Sequence, residues 1–442
     1  MNPDLLARAK DRREKYMQRL GDAVAVVPGA NTVLRSADSD YPFRQDSDFH
    51  YLTGFDEPDC LCVLRPRADQ RFVLFVRPRD PEAEVWTGRR LGVEGAVEVY
   101  GADAAYPITE LETRFPKLLE DVDVLHYALG RNPTMDTRVL RLVSEQRKTR
   151  PRRGHGIVRI DDPSTVLHEM RLLKDDYELS RMRAAAAITA EAHTRLMREA
   201  RPGMREYELQ AMLERDFMHH GANAPAYGTI VGSGANATVL HYVSNRDELR
   251  EGDLVLVDAG CELDFYASDI TRTWPVGPAF SPEQAALYRV VLEAQTQAIA
   301  TVRPGAKFIE AHDRAVEVLC TGLVDLGLLE GPVERARDSG DYKKYYMHRT
   351  SHWLGLDVHD TGLYEVDGQS RRLEPGMVLT IEPGLYISPE QPSAPLPYRG
   401  IGIRIEDDLL ITENGHEILT RAVPKEIEDL EALRSAVSTR AR

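Results

Sequence analysis

The sequence predicts an α/β domain followed by an α+β domain. The chain has 442 residues, more than one hydrophobic core usually organises. Its first part alternates short apolar runs with helical segments, which is an α/β pattern. Its second part has longer helices with capping signals, and strands that carry conspicuous charges. We therefore expect one domain over residues 1–170 and a second over residues 171–442.

Composition excludes several classes of protein. Hydrophobic residues make up 42% of the chain and charged residues 29%, as in a soluble globular protein. No apolar run approaches the roughly 20 residues of a membrane helix. The charged segment 1–20 lacks the apolar centre of a signal peptide. A net charge of −15 argues against nucleic-acid binding, which needs clustered Lys and Arg. The four cysteines are too few for a disulfide framework, so we expect a cytoplasmic protein with reduced Cys60 and Cys62.

The strands of the first domain are predicted from short apolar runs that end in turn residues. These runs are DAVAVVPG (22–29), CLCVLRP (60–66), RFVLFVRP (71–78) and DVDVLHYALG (121–130). The segment ITELETRFPKLLED (108–121) between two of them has a helical pattern. Residues 148–164 are basic and contain Pro and Gly, so we expect a linker there.

Helix start signals organise the second domain. Asp175 with Glu178, and Ser281 with Gln284, have the spacing of capping boxes. Residues 192–209 align with residues 294–311 at a constant offset of 102, with six identities that include Arg-Pro-Gly. We interpret this as two related half-domains, a pseudo-twofold internal repeat. Such a repeat favours a site between the halves.

The segment GDLVLVDAGCELDFYASDITRTW (252–274) predicts a hairpin that carries two aspartates. A two-residue turn at Leu263-Asp264 would place Asp258 directly opposite Asp269. Like charges in opposed positions destabilise a hairpin, so this pairing indicates a cation between them. The alternative is that one aspartate faces inward and the other is solvated.

Two further carboxylates lie on predicted strands. Glu382 ends the apolar run of GMVLTIEPGLYI (376–387), and Glu406 shares a strand face with Arg404 in GIGIRIEDDLLIT (400–412). A solvated outer face is the alternative for the second strand. The segment TSHWLGLDVHDTG (350–362) adds His352 and His359.

Four carboxylates in one pocket would repel each other and resist ionisation. Two divalent cations would neutralise them. Oxygen-rich ligation with one imidazole suits Mn²⁺ best, and less distinctively Co²⁺, Fe²⁺ or Zn²⁺. Two such ions about 3.5–4 Å apart can hold a bridging hydroxide for hydrolysis.

Together these residues resemble the metal-dependent pita-bread peptidases, and most closely the aminopeptidase P (Xaa-Pro aminopeptidase) family. The ligand order of that family is Asp, Asp, His, Glu, Glu, and the matching residues are Asp258, Asp269, His352, Glu382 and Glu406. The stretches 41–58 and 84–92 resemble the creatinase-like N-terminal domain of the family. The resemblance implies a homo-oligomer, with Trp86 as a plausible interface residue.

The resemblance also implies roles for other residues. His241, His348 and His359 would surround the proline-side pocket, with Arg404 beside Glu406. The implied catalytic residues are Glu382, His359 and His241; the implied substrate-binding residues are His241, His348, His359 and Arg404. The implied reaction is hydrolysis of the N-terminal Xaa-Pro bond of peptides through a dinuclear-metal-bridged hydroxide. Arg349-Thr350 departs from the smaller or less charged residues expected there.

Four alternative functions are weaker. A prolidase, which cleaves Xaa-Pro dipeptides, would use the same ligands, but the stretches 46–55 and 86–92 favour aminopeptidase P. A metal-free creatinase, or a binding module on the same scaffold, would lack metal ligands, and here all five are present. The match VGSGANA (231–237) to a dinucleotide-binding motif is too isolated to carry weight.

Overall fold

The structure is a computed structural model that describes residues 2–440. The chain divides into two compact units, Met1–Arg171 and Leu172–Arg442. Within the part of the chain that the model describes, there is no helix with the length and apolar character needed to cross a membrane. All four cysteines are free and buried.

A mixed six-stranded sheet organises the first unit. Its order is β6-β5-β4-β1-β7-β8; β4 is antiparallel to both β1 and β5, and the outer pairings are parallel. The four predicted apolar runs are confirmed as β1, β4, β5 and β7. The strands of this unit are β1 Val24–Pro28, β2 Leu34–Ser36, β3 Ser39–Asp40, β4 Leu61–Leu64, β5 Phe72–Val76, β6 Ala104–Pro107, β7 Val124–His126 and β8 Arg159–Asp161.

Most helices of this unit bury apolar residues, whereas the third buries none. The first helix starts at an Asn2 cap with Pro at its first position, and it buries Tyr16, Met17 and Leu20. The fifth buries Leu111 and Phe115 against the sheet core. The helices are α1 Pro3–Leu20, α2 Ser47–Thr53, α3 Pro81–Thr87, α4 Gly92–Glu98, α5 Leu111–Leu118, α6 Pro133–Arg153 and α7 Leu167–Leu172.

The linker predicted over 148–164 is wrong. Residues 148–153 are the last turns of α6, and residues 159–161 form β8 at the edge of the sheet. Pro151 lies inside the last turn of α6, where it removes one backbone N–H donor just before the helix ends. Gly154 then ends the helix with φ 83°.

The helices of the second unit begin where the capping signals predict. Asp175 with Glu178, and Ser281 with Gln284, both form complete capping boxes. The helices are α8 Asp176–Glu199, α9 Glu206–His219, α10 Pro282–Thr301, α11 Ile309–Asp325, α12 Val333–Asp338 and α13 Ile427–Arg440. Short 3₁₀ turns lie at Ile108–Glu110, Pro163–Thr165, Gly234–Thr238, Asp341–Lys344 and Leu396–Tyr398.

Small antiparallel sheets complete the second unit. They have the orders β10-β11-β14, β13-β12-β9, β17-β20-β21, β18-β19 and β15-β16. The strands are β9 Ala224–Pro225, β10 Ile230–Ser233, β11 Leu254–Asp258, β12 Cys261–Leu263, β13 Tyr266–Ala267, β14 Thr271–Pro275, β15 Glu365–Val366, β16 Gln369–Ser370, β17 Val378–Ile381, β18 Gly384–Ile387, β19 Ile401–Arg404, β20 Asp407–Thr412 and β21 Gly415–Ile418.

The two aligned segments fold alike. Residues 192–209 end α8 and begin α9, and residues 294–311 end α10 and begin α11. Both connections turn at a glycine with positive φ, 88° at Gly203 and 81° at Gly305. Each helix pair precedes a three-stranded antiparallel sheet, β10-β11-β14 or β17-β20-β21. The second unit therefore repeats one arrangement of helix pair and sheet.

Candidate active site

A cavity of about 1100 Å³ lies within the second unit. Every residue for which the sequence predicted a role at the site lines it. The carboxylates among them come from the ends of β11, β17 and β19 and from the approach to β14. The lining residues from the prediction are His241, Asp258, Asp269, His348, His352, His359, Glu382, Arg404 and Glu406.

The predicted pairing of the two aspartates is wrong. The hairpin turns at Asp264-Phe265, with φ of 49° and 74°, and Asp258 pairs with Thr271. A two-residue turn of type I′ needs φ > 0 at both central positions. Asp264 tolerates this conformation better than Leu263 would, and burial of the Phe265 ring accompanies the strain at the second position.

The two aspartates nevertheless converge. The Tyr227 hydroxyl lies 2.6 Å from Asp258 Oδ1 and 2.5 Å from Asp269 Oδ1. A hydroxyl carries one proton, so it donates to only one of these carboxylates at a time. Gly260 allows the close approach behind them, because a Cβ there would lie 1.8 Å from the Ser268 carbonyl oxygen. Two acidic side chains therefore meet with one proton between them.

His352 is surrounded by carboxylates. Its Nε2 lies 3.5 Å from Asp269 Oδ2, 3.5 Å from Glu382 Oε1 and 3.9 Å from Glu406 Oε1. Its Nδ1 lies 3.0 Å from the Trp353 carbonyl oxygen, an arrangement that leaves Nε2 to face the cavity. Burial opposes the charged imidazole, but the bond to Asp269 and the charge of Glu382 raise the pKa of His352 to about 9.

The carboxylates are short of positive charge. Burial, reinforced by Asp269 and Asp258, raises the pKa of Glu382 to about 7 despite the opposing His352 and Arg404. Burial, together with the charges of Asp269 and Glu382, raises the pKa of Glu406 well above its usual range. Among the described residues, the buried Oε1 of Glu406 has no hydrogen-bond partner. An acceptor oxygen that receives no hydrogen bond from the protein is available to coordinate a metal ion.

The donor set fits divalent cations. Ligand atoms of Asp269, His352 and Glu406 all lie within 4.8 Å of one another. Asp258 and Glu382 join this group through Tyr227 and His352. Carboxylate oxygens with a single imidazole are the ligands of ions such as Mn²⁺, Co²⁺, Fe²⁺ and Zn²⁺. The five residues can therefore hold metal ions, which would neutralise the carboxylates that the protein's own cations leave charged.

Arg404 lies at the centre of a hydrogen-bonded chain. It donates from Nη2 to Asp258 Oδ2 at 2.5 Å, from Nη1 to the Tyr386 hydroxyl at 3.0 Å and from Nε to Thr271 Oγ1 at 3.1 Å. Thr271 donates in turn to Glu406 Oε2 at 2.7 Å. The arginine thus pairs with Asp258 and reaches Glu406 only through Thr271.

The three remaining histidines have different surroundings. His348 Nε2 lies 2.9 Å from the Tyr386 hydroxyl, and its Nδ1 lies 2.7 Å from the Arg349 carbonyl oxygen. The ring of His359 stands edge-on to that of His352, with centroids 4.5 Å apart. Partial burial and the neighbouring His352 lower the pKa of His359. His241 and His359 are exposed to the cavity, so their ring nitrogens can meet a bound molecule.

Sequence reasoning missed three residues of this site: Tyr227, Thr271 and Tyr386. Tyr386 lies two residues after Gly384 on β18, so both residues lie on the same face of the strand. This spacing can be detected in the sequence. Thr271 precedes Arg272 in the predicted strand and could have been found the same way. Tyr227 lies between two strands, and no periodicity marks it.

Comparisons with known proteins identify the family of the chain. The family described as Metallopeptidase family M24 matches residues 180–413, and the Aminopeptidase P, N-terminal domain matches residues 9–126. Xaa-Pro aminopeptidase of Escherichia coli (strain K12) is 46% identical over 425 residues, which cover 96% of each chain. Xaa-Pro aminopeptidase 3 of Homo sapiens is 34% identical over 434 residues, covering 97% of this chain and 84% of the human protein.

Solved structures give the same result. Pseudomonas aeruginosa aminopeptidase PepP superposes with a TM-score of 0.95 at 46% identity, covering 98% of this chain and 99% of that chain. Zn-substituted Escherichia coli aminopeptidase P in complex with product superposes with a TM-score of 0.94 at 45% identity, covering 98% of each chain. The fold class predicted from the sequence is confirmed. The chain belongs to metallopeptidase family M24, in the branch that carries the aminopeptidase P N-terminal domain.

Proposed function

We propose that this enzyme is a metal-dependent aminopeptidase that hydrolyses the N-terminal Xaa-Pro bond of peptides. The observation that carries the proposal is the convergence of four carboxylates and one imidazole in a cavity, with Glu406 Oε1 buried and unpaired among the described residues. The names of the relatives, Xaa-Pro aminopeptidase in Escherichia coli and Haemophilus influenzae, support the choice of substrate.

The proposed metal ligands are Asp258, Asp269, His352, Glu382 and Glu406, and the proposed cofactor is a pair of Mn²⁺ ions. When bound, such ions act as Lewis acids and lower the pKa of the attacking water. The water oxygen forms a bond to the scissile carbonyl carbon, and the bond from that carbon to the prolyl nitrogen breaks. Glu382 accepts the proton of the water as a general base and delivers it to the prolyl nitrogen as a general acid.

The histidines position the substrate in this proposal. His359 donates a hydrogen bond to the carbonyl oxygen as negative charge develops there. His241 and His348 line the space for the proline ring, whose nitrogen has no N–H to offer. Asp258 binds the free N-terminal amine, and Arg404 holds Asp258 in place for it. A pocket shaped in this way selects a residue that many peptidases handle badly.

Four broader features belong to the same proposal. Residues 1–170 would form the N-terminal domain and residues 171–442 the catalytic domain, which agrees with the ranges of the two family matches. The four free, buried cysteines support a cytoplasmic location. Trp86 is 87% exposed on α3, as expected of a residue that another copy of the chain would cover. Peptides, not nucleic acids or membranes, would be the partners of the enzyme.

The test is hydrolysis by protein that has been stripped of metal and reconstituted with Mn²⁺. The substrates are Ala-Pro, Ala-Pro-Ala and Ala-Ala-Ala. We expect cleavage of Ala-Pro-Ala, little cleavage of Ala-Ala-Ala, and loss of both in Asp269→Asn. Asp253→Asn, which changes an aspartate away from the cavity, is the matched control and should keep the activity. Cleavage of Ala-Pro alone would make the enzyme a dipeptidase, and equal cleavage of both tripeptides would refute the selection of proline.

A further inference from the structure

An arginine without a protein partner lines the cavity. Arg349 is exposed, and among the described residues its guanidinium makes no ion pair and no hydrogen bond. Arg404, which also lines the cavity, is buried and donates hydrogen bonds to Asp258, Thr271 and Tyr386. A cation that lines a cavity without a partner is available to a bound molecule.

The backbone on both sides of Arg349 is anchored. Its carbonyl oxygen is 2.7 Å from His348 Nδ1. The next residue, Thr350, is fully buried; its hydroxyl lies 2.6 Å from the Tyr346 hydroxyl and 2.9 Å from His312 Nδ1. The Thr350 carbonyl also accepts a hydrogen bond from the Glu382 N–H at 2.8 Å. The arginine side chain therefore starts from a fixed point, one residue from a direct bond to Glu382.

The charges around Arg349 leave it able to attract an anion. Burial, with Arg349 and Lys343, lowers the pKa of His312 to about 4, so that the imidazole is neutral near pH 7. Burial raises the pKa of Asp313 although the charge of Arg349 opposes it, and Glu365 also lines the cavity. Neither forms an ion pair with Arg349 in the described part of the chain.

We propose that Arg349 binds a carboxylate of the peptide on the far side of the proline. The inference rests on the proposed function. In an extended peptide, the third residue lies about 7 Å beyond the scissile carbonyl, at roughly 3.3–3.6 Å per residue. The carboxylate is either the C-terminus of a tripeptide or the side chain of an acidic third residue. A guanidinium can bind it through two parallel hydrogen bonds. Arg349 is then a residue that determines specificity.

The experiment compares matched pairs of substrates on the Mn²⁺-reconstituted full chain. Ala-Pro-Ala against Ala-Pro-Ala-amide tests the C-terminal carboxylate, and Ala-Pro-Glu-amide against Ala-Pro-Gln-amide tests the side chain. Wild-type enzyme should favour the charged member of at least one pair by about fivefold in kcat/KM, chiefly through KM. In Arg349→Met this ratio should fall to about 1, and in Arg349→Glu below 1. Arg349→Lys should keep part of it.

The control is Lys344→Met, which removes an exposed cation of the same segment that does not line the cavity. It should keep the wild-type ratio. Equal ratios in wild type, Arg349→Met and Lys344→Met would overturn the inference while leaving the proposed function intact. Failure of wild-type enzyme to cleave any of the four peptides would overturn the proposed function and this inference with it.

Discussion

Two adjacent residues, Glu406 and Asp407, are buried in opposite electrostatic surroundings. Asp407 accepts hydrogen bonds from Arg272 at 2.7 Å, Lys425 at 2.7 Å, Thr420 at 2.7 Å and Gln295 at 3.0 Å. Burial alone would raise its pKa, but Arg272 and Lys425 outweigh burial and lower it to about 2. Glu406 receives one hydrogen bond from Thr271, and its other oxygen has no partner in the described part of the chain.

The two residues differ in whether the protein itself neutralises the charge of the carboxylate. Around Asp407 the protein supplies both the negative and the positive charges. We call Asp407 and its donors Arg272, Lys425, Thr420 and Gln295 the finished network. Around Glu406 the protein supplies several negative charges and too few positive ones, which is costly in a buried site unless a cation binds. We call Glu406 with Asp258, Asp269 and Glu382 the open network. Asp407, whose charge is matched by protein cations, has a structural role, whereas Glu406, which lacks such a cation, is available to a metal ion.

The largest effect is expected from breaking the finished network. Arg272 is fully buried and bonds Asp407 and the Glu406, Val423 and Pro424 carbonyl oxygens. Arg272→Met should lower the free energy of unfolding by about 3–5 kcal/mol, because it leaves buried acceptors without donors. Chemical denaturation measures this. Arg183→Met, which breaks the exposed pair with Glu417, should cost less than about 1 kcal/mol. Similar losses in both variants would contradict the comparison.

Removing charge from the open network should affect activity instead. Glu406→Gln should lower kcat/KM by more than about 100-fold, because it replaces a proposed ligand, whereas changing the neighbours of metal ligands typically costs 10–100-fold. Bound metal, measured after dialysis, should fall in parallel. The control Glu413→Gln changes an exposed carboxylate in the turn after β20 and should keep both activity and metal. Full metal content in Glu406→Gln would argue against its role as a ligand.

The open network should also make metal-free protein sensitive to alkali. The pKa of Glu382 is raised from 4.5 to about 7 in the fold, so the folded state binds its proton more tightly than the unfolded state does. The stability that this proton supplies is complete below pH 4.5 and lost as pH rises through about 7. With chelator present, wild type should lose more stability than Glu382→Gln between pH 4.5 and 8. Parallel stability profiles of the two proteins would rule this out.

The smallest effect is expected at the link between the two aspartates. Tyr227→Phe removes the hydroxyl that contacts Asp258 and Asp269 but keeps the ring. We expect about a 10-fold loss of kcat/KM and weaker metal binding, at the lower end of the range for neighbours of metal ligands. Metal titration and steady-state kinetics measure both. Tyr207→Phe, on the exposed face of α9, provides the control. An unchanged metal affinity would show that the hydroxyl does not organise the aspartates.

Local signals predicted the elements of the fold well. Apolar runs gave the central strands of the first unit, and the capping boxes at Asp175 and Ser281 gave the helix starts, since both depend on neighbouring residues. The register of the aspartate hairpin was missed by two residues, because it depends on which side chains accept positive φ in the turn. The linker at 148–164 was misjudged, because composition does not report that a basic segment continues a helix and then adds an edge strand.

The sequence predicted the charged residues of the candidate site but not the contacts between them. Charged residues on otherwise apolar strands drew attention to Asp258, Glu382 and Glu406, and the structure gathers them in one cavity. That Arg404 pairs with Asp258, 146 positions away, could not be inferred from either strand alone. The roles assigned to the histidines and carboxylates stay predictions until the substitutions above are made.

The divided origin of the carboxylates has a consequence for how such a site can exist. Asp258 and Asp269 follow the first helix pair, and Glu382 and Glu406 follow the second. A single half would present two acids and would meet its counterpart only at the concentration of free fragments. Joining the halves in one chain turns that meeting into an intramolecular event, with an effective concentration that a short tether can raise to about the millimolar range. Covalent continuity thus brings together two pieces, neither of which holds all four carboxylates.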